Sequence, residues 1–228
     1  MATTSHSNDS EVQFVEVHAG DCPSFMQLRQ KVSSWRKTAE VKGINFFAFT
    51  QVRDPVSFAL SMYNDLCVTS GKCHVEGRFK FNINAFLEMD WVNWQTRFFK
   101  TGFTTFYQHR RRLNRTEDIG PSEMEAAKIF TEMKSTLDWV GPSECLVNDT
   151  IRLLKSYIPS IDVDSFSSSN VANKELNGIL NRSMLINSEL DYLQGIMRLD
   201  TMLYQNVIHH YGSSCFACAS PLPLIHDM

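Results

Sequence analysis

Residues 46–63, FFAFTQVRDPVSFALSMY, constrain this chain more than any other stretch: an apolar run stops at Arg53-Asp54-Pro55 and a helical pattern begins there. Phe46 to Val52 is short, aromatic-rich and preceded by Gly43, which favours a buried strand over a helix. Asp54 has the side chain of an N-cap, Pro55 suits a first helical turn, and Phe58, Leu60 and Met62 supply apolar contacts. Arg53 is thereby predicted at the carboxyl end of a strand, beside a helix N-terminus whose free N–H groups and dipole favour an anion. Its planar fork of donors matches phosphate oxygens, and Ser61, about two turns along, offers a hydroxyl from the same side. The same residues also fit a capped helix with Arg53 in an ordinary salt bridge.

Upstream, VQFVEV (residues 12–17) reads as a strand that delivers His18 to its carboxyl end. From Cys22-Pro23 a helix is predicted, with Phe25, Leu28, Val32 and Trp35 at helical spacing and Arg29, Lys31, Arg36 and Lys37 on the wet side. Gly43 ends it. Strand, helix and strand of this length make a βαβ unit, so the two strands are expected to be parallel neighbours joined by a right-handed crossover. His18 and Arg53 then share the sheet edge at which open α/β sheets bind ligands. Taken alone, a strand-end histidine is ordinarily hydrogen-bonded to a loop.

Downstream, Cys67 and Cys73 bracket VTSGK, a turn that either a disulfide or two free thiols would suit. DWVNWQTRFF (residues 90–99) reads as a helix that packs its aromatics inward and shows Arg97 to solvent. The run from His109 to Arg115 holds four arginines and is read as a solvated charged turn. Ser122 and Glu125 form a capping box for a helix that buries Ala126, Phe130, Met133 and Leu137. Leu137 to Gly141 is then a short strand, and the following helix carries Leu146, Thr150, Leu153, Leu154 and Tyr157 on one stripe. Ser165 to Asn170 is a polar loop. One last long helix stacks Leu193, Ile196, Leu199, Leu203 and Val207. After it, His209, His210, Cys215 and Cys218 invite a zinc reading, but the histidines are adjacent and only the cysteines have ligand spacing.

Composition narrows the class. A chain of 228 residues with 43% hydrophobic content can bury a sizeable core, and a net charge of −3 carries no global nucleic-acid signature. The sequence shows neither a transmembrane run nor a signal peptide. Six cysteines are too few for a disulfide scaffold at this length. Four N-x-Ser/Thr sequons, at Asn8, Asn114, Asn148 and Asn181, permit a secretory lumen without establishing one.

Four segments, in order, resemble the carbohydrate sulfotransferases of the heparan sulfate 2-O- and 6-O-sulfotransferase type, in their plant and algal branch. Arg53-Asp54-Pro55 followed by Ser61-x-Tyr63 resembles the family's 3′-phosphate motif, and Asn93-x-Gln95-Thr96-Arg97 resembles the segment that lines its acceptor or nucleotide cleft. LDWVGPSECLVNDTIRLL (residues 137–154) resembles its strand–helix segment, and Asp200-x-x-Leu203-Tyr204 its final helix. His18 matches the family's catalytic base by position and strand context.

The resemblance implies an α/β protein with a P-loop-like three-layer α/β/α sulfotransferase fold and a parallel sheet, N-terminally incomplete. It implies a flexible tail at residues 1–10, a partial sulfotransferase-like domain at 11–212 and a C-terminal tail at 213–228. The implied co-substrate is 3′-phosphoadenosine 5′-phosphosulfate without a metal, and the implied partner is a polysaccharide or glycan acceptor, with no nucleic acid. The implied location is the Golgi, for a glycoprotein whose membrane anchor is absent from this chain. His18 would be the catalytic base, Arg53 and Ser61 would bind the cofactor, and Gln95, Thr96 and Arg97 would meet the substrate.

In that family a 5′-phosphosulfate loop precedes the base, where this sequence holds only a polar stretch before Val12. The expectation is therefore a fragment or a degenerate member. FKTGFTTF (residues 99–106) resembles that loop but lies downstream of His18 and Arg53 with no apolar strand before it, so it is read as a decoy. The rival readings are a non-catalytic nucleotide- or glycan-binding protein and, last, a P-loop hydrolase, which would need the Gly-Lys-Ser/Thr that FKTGFTTF lacks.

Overall fold

The structure, a computed structural model, describes residues 25–65, 81–88, 92–101, 122–143, 155 and 180–211. In chain order these form α1 (Phe25–Lys42), β1 (Phe49–Val52), α2 (Pro55–Tyr63), α3 (Ile83–Glu88) and α4 (Trp94–Thr101). They continue with α5 (Glu123–Thr136), β2 (Trp139–Pro142), a 3-10 turn (Arg182–Met184), α6 (Asn187–Ile196) and α7 (Arg198–Tyr211). Strands β1 and β2 pair in parallel, with Phe49 opposite Trp139 and Val52 opposite Pro142. Helices around a small two-stranded parallel sheet make the architecture broadly α/β. The predicted strand at 12–17, His18, all six cysteines, the basic run and most of the helix after Gly141 lie outside the described residues.

Local chemistry accounts for most element boundaries. Helix α1 ends in a Schellman turn, in which Ile44 N–H donates to the Ala39 carbonyl (2.9 Å) and Gly43 N–H to that of Glu40 (3.1 Å). Gly43 takes φ +64 there, a conformation that a Cβ disfavours. Strand β1 is shorter than the predicted 46–52, because Asp138 takes over where the ladder would continue. Its carboxylate accepts from Ala48 N–H (2.8 Å), and its own N–H donates to the Ala48 carbonyl (2.8 Å). Arg36, from the polar side of α1, holds the same carboxylate at 2.8 Å.

Helix α5 carries the predicted capping box: Ser122 N–H donates to Glu125 Oε2 (2.7 Å) and Glu125 N–H to Ser122 Oγ (3.3 Å). Its buried stripe is Ala126, Ile129 and Met133, whereas Phe130, expected inside, is only partly buried and turns its ring toward His210. The predicted single last helix is two, α6 and α7, broken at the fully buried Met197 (φ −93, ψ 24).

Among the described residues two apolar clusters fill the interior. The first joins Val56, Ala59, Leu60 and Tyr63 of α2 to Phe81, Phe86, Leu180, Leu193 and Met197. The second joins Val52 and Val140 of the sheet to Phe25, Phe99, Met133, Leu203 and Val207. Among the described residues no helix is long and apolar enough to cross a membrane.

Gly141 admits the indole of Trp139, which lies over the position a Cβ would occupy and meets Tyr211 edge-on at 6.5 Å. Gly141→Ala is expected to displace that indole and to destabilise the fold by about 1–3 kcal/mol, the usual cost of overpacking. Denaturant unfolding and tryptophan emission check this; an unchanged midpoint would refute the steric account.

Candidate functional site

The sheet leads directly to Arg53. Beyond Val52, Asp54 caps α2 as predicted, its Oδ1 accepting from Ser57 N–H at 2.8 Å. Arg182, from the 3-10 turn, reaches the same oxygen at 3.4 Å. The carboxylate of Asp54 thus occupies part of the helix end that the sequence reading leaves open to an anion.

Arg53 itself is gripped through its main chain. Its N–H donates to Gln95 Oε1 (2.8 Å), and its carbonyl accepts from Gln95 Nε2 (2.9 Å). The residue is exposed, and its guanidinium makes no ion pair among the described residues. Ser61 lies further along α2, half-buried. Tyr63, the other residue of the Ser-x-Tyr pattern, is fully buried and accepts from Asn82 N–H at 3.1 Å.

Gln95 belongs to α4, whose start is bound reciprocally to the start of α7. Asp200 Oδ1 accepts from Thr96 N–H and Thr96 Oγ1 at 2.7 Å each, and Oδ2 accepts from Gln95 N–H at 3.1 Å. In return Asn93 Oδ1 accepts from the N–H groups of Leu199 (2.9 Å) and Asp200 (3.2 Å). Asn93 adopts φ 51, a left-handed conformation that asparagine tolerates better than most residues. Burial pushes the Asp200 carboxyl up from 3.8 to about 6, while the hydrogen bonds from Thr96 and Gln95 pull it down.

Arg97, expected in solvent, is buried, and its guanidinium reaches the Val92 carbonyl at 3.4 Å. The burial follows from the capping exchange, which sinks the first turn of α4 into the interior. Trp94 stacks on Phe58 of α2 (5.5 Å) and on Phe98 (5.3 Å), bracing α4 against the helix that Arg53 precedes.

Of the residues singled out by sequence, Arg53, Gln95 and Thr96 are joined in one hydrogen-bonded unit through Asp200. Ser61 stands on the adjoining helix, and His18 lies outside the described residues. Lys100, in the FKTGFTTF segment, sits near the end of α4 and pairs with Glu125 at 2.7 Å. That contact, with the Ser122 N–H next, holds the Glu125 carboxyl down at about 2. In sequence, Asn93 and Asp200 have a place in motifs but no visible partner, and nothing marks Arg182. An Asn just before a helix and an Asp in a first turn are the local signals that mark the first two as capping residues.

Comparison with protein-family models, with curated proteins and with solved structures finds no match.

The titration of Asp200 is testable. A carboxyl whose folded pKa lies above its unfolded value binds protons more readily when folded. Its stabilising contribution is therefore full below about pH 4 and is lost as pH rises through about 6. The gap from 3.8 to about 6 corresponds to up to about 3 kcal/mol. Denaturant unfolding of the wild type and of Asp200→Asn between about pH 4 and 7 should show the difference in stability moving against the wild type by up to that amount as pH rises. A constant difference would refute titration of Asp200 in this range.

Proposed function

We propose that the chain is a sulfotransferase of the carbohydrate type, moving a sulfuryl group from 3′-phosphoadenosine 5′-phosphosulfate to a sugar hydroxyl. The observation that carries the reading is the setting of Arg53. An exposed guanidinium stands at the carboxyl end of a parallel strand, immediately before the N-cap of α2, on a main chain pinned by Gln95. The convergence of the motifs supports it further. The segment after Leu137 supplies β2 beside β1, Gln95 and Thr96 come from the Asn-x-Gln-Thr-Arg segment, and Asp200 comes from the last one. Segments that resemble one family in sequence are thus linked to the strand and helix that flank Arg53, the last of them through Gln95.

In this reading Arg53 and Ser61 hold the 3′-phosphate of the donor, and the buried Gln95, Thr96 and Arg97 back the cleft from the interior rather than meet the substrate. His18 takes the proton of the acceptor hydroxyl as its oxygen bonds to sulfur and the bond from sulfur to the 5′-phosphate oxygen breaks. A neutral imidazole suits that role, since its ordinary pKa is about 6.5. The chemistry needs placement of donor and acceptor in line and stabilisation of charge on the leaving phosphate, and it needs no metal. The wider fold is then the three-layer α/β/α arrangement of that family, its location the Golgi and its acceptor a polysaccharide or glycan.

Arg53→Ala is expected to weaken binding of 3′-phosphoadenosine 5′-phosphate by about 10- to 100-fold, the loss of a charge-assisted pair. Isothermal calorimetry of both proteins decides it; equal affinities would remove Arg53 from the site.

His18→Ala is expected to leave that affinity nearly intact while lowering sulfate transfer to a polysaccharide mixture by about 10²–10⁴, the range for a lost general base. Transfer of radiolabelled sulfate measures it. Undiminished transfer would move the base elsewhere, and binding without transfer in the wild type would favour a non-catalytic nucleotide-binding protein.

A further inference from the structure

We propose that Gln95, held in place by Asp200, is a positioning residue that fixes the main chain of Arg53 and so aims its guanidinium at the ligand anion. The inference rests on the reading of Arg53 as an anion-binding residue and gives Gln95 a part in that site without contact to the ligand.

The geometry is that of a side chain acting as a missing strand. Ladder pairing of β1 ends with Val52 opposite Pro142, a residue that has no N–H to offer. One residue further on, the Gln95 amide supplies both an acceptor and a donor to the main chain of Arg53, at 2.8 and 2.9 Å. Gln95 is 7% exposed, so its amide is committed to this pairing rather than displayed to solvent. Its own N–H is bound by Asp200 Oδ2, and the neighbouring Thr96 by Oδ1. Loss of the Asp200 carboxylate would leave three donors in the first turn of α4 without their acceptor, and Gln95 would lose its fixed starting point. Asp200, 105 residues beyond Gln95, thus acts on Arg53 through it. An arginine side chain carries much rotamer freedom, and anchoring its main chain lowers what binding must order.

The test uses the full chain as wild type, Arg53→Ala, Gln95→Met and Asp200→Asn. Two quantities are read: affinity for 3′-phosphoadenosine 5′-phosphate by calorimetry, and hydrogen exchange of the Arg53 amide by NMR. Gln95→Met keeps the bulk of the side chain and removes both hydrogen bonds, so it decides the matter alone if Asp200→Asn does not fold.

The expected result is an Arg53 amide that exchanges about tenfold faster or more in Gln95→Met, with the amides of β2 and α5 as protected as in the wild type. Affinity should fall about tenfold alongside. General destabilisation would instead raise exchange throughout. An Arg53 amide equally protected in Gln95→Met, or an affinity equal to that of the wild type while Arg53→Ala binds weakly, overturns the positioning role and leaves the reading of Arg53 standing. A wild type that does not bind the nucleotide, with Arg53 protection still lost in Gln95→Met, overturns the nucleotide reading and retains Gln95 as the anchor of Arg53.

Discussion

Two buried helix ends face each other in this protein, and the exchange between Asn93 and Asp200 makes that arrangement tenable. Each helix start leaves N–H groups without an intrahelical acceptor, and each such group costs about 1–3 kcal/mol if it is buried unpaired. Asn93 serves two of them on α7, while Asp200 serves two on α4 together with the Thr96 hydroxyl. The positive ends of two helix dipoles would otherwise repel, and the acceptor oxygens of Asn93 and Asp200 between them offset that repulsion in part. The break at Met197 is part of the same device. Had α6 run unbroken into α7, the N–H groups of Leu199 and Asp200 would be bonded within the helix and unavailable to Asn93.

The junction also explains how the two apolar clusters hold together. Met197 belongs to the cluster under α2 and Leu203, less than two turns later, to the one under the sheet. Trp94 and Phe99, at opposite ends of α4, divide in the same way. A second side-chain amide then works at the far end of α2. Asn64 donates to the Leu180 carbonyl (2.8 Å) and accepts from its N–H (3.0 Å), as Gln95 does at Arg53. Helix α2 is thereby tied by main-chain-mimicking amides just before its N-cap and just after its last turn. The Leu180 clamp brings Arg182, two residues on, to Asp54.

Chemically, this framework leaves an arginine exposed while its backbone is fixed. Exposed ion pairs contribute little to stability, about 0–1 kcal/mol, so an Arg53 with no ion pair among the described residues is not a large sacrifice for the fold. For binding, the position matters more, because a planar fork meets phosphate or sulfate oxygens only when it is presented at the right angle. The cation is rigidly rooted. Lys100, by contrast, is engaged with Glu125 on the rim of α5 and sits within a helix rather than in an open loop.

What the sequence by itself determined is what depends on neighbours within about a turn of chain. The Asp54 cap with Pro55 behind it, the Ser122–Glu125 box and the Gly43 turn all form as read, because their partners are three to five residues away. The strand before Arg53 was legible in kind but not in length, since Asp138, 90 residues on, decides where it begins. The candidate site divides in the same way: Arg53 was legible from its place between strand and cap. Its tie to Gln95 spans 42 residues, and the exchange between Asn93 and Asp200 spans more than 100. No periodicity encodes such pairs, because a capping side chain satisfies any helix end that folding brings to it. Tertiary structure alone therefore decided that Arg97 is buried, that the last helix breaks at Met197, and that an aspartate in the final helix is tied to an arginine after the first described strand.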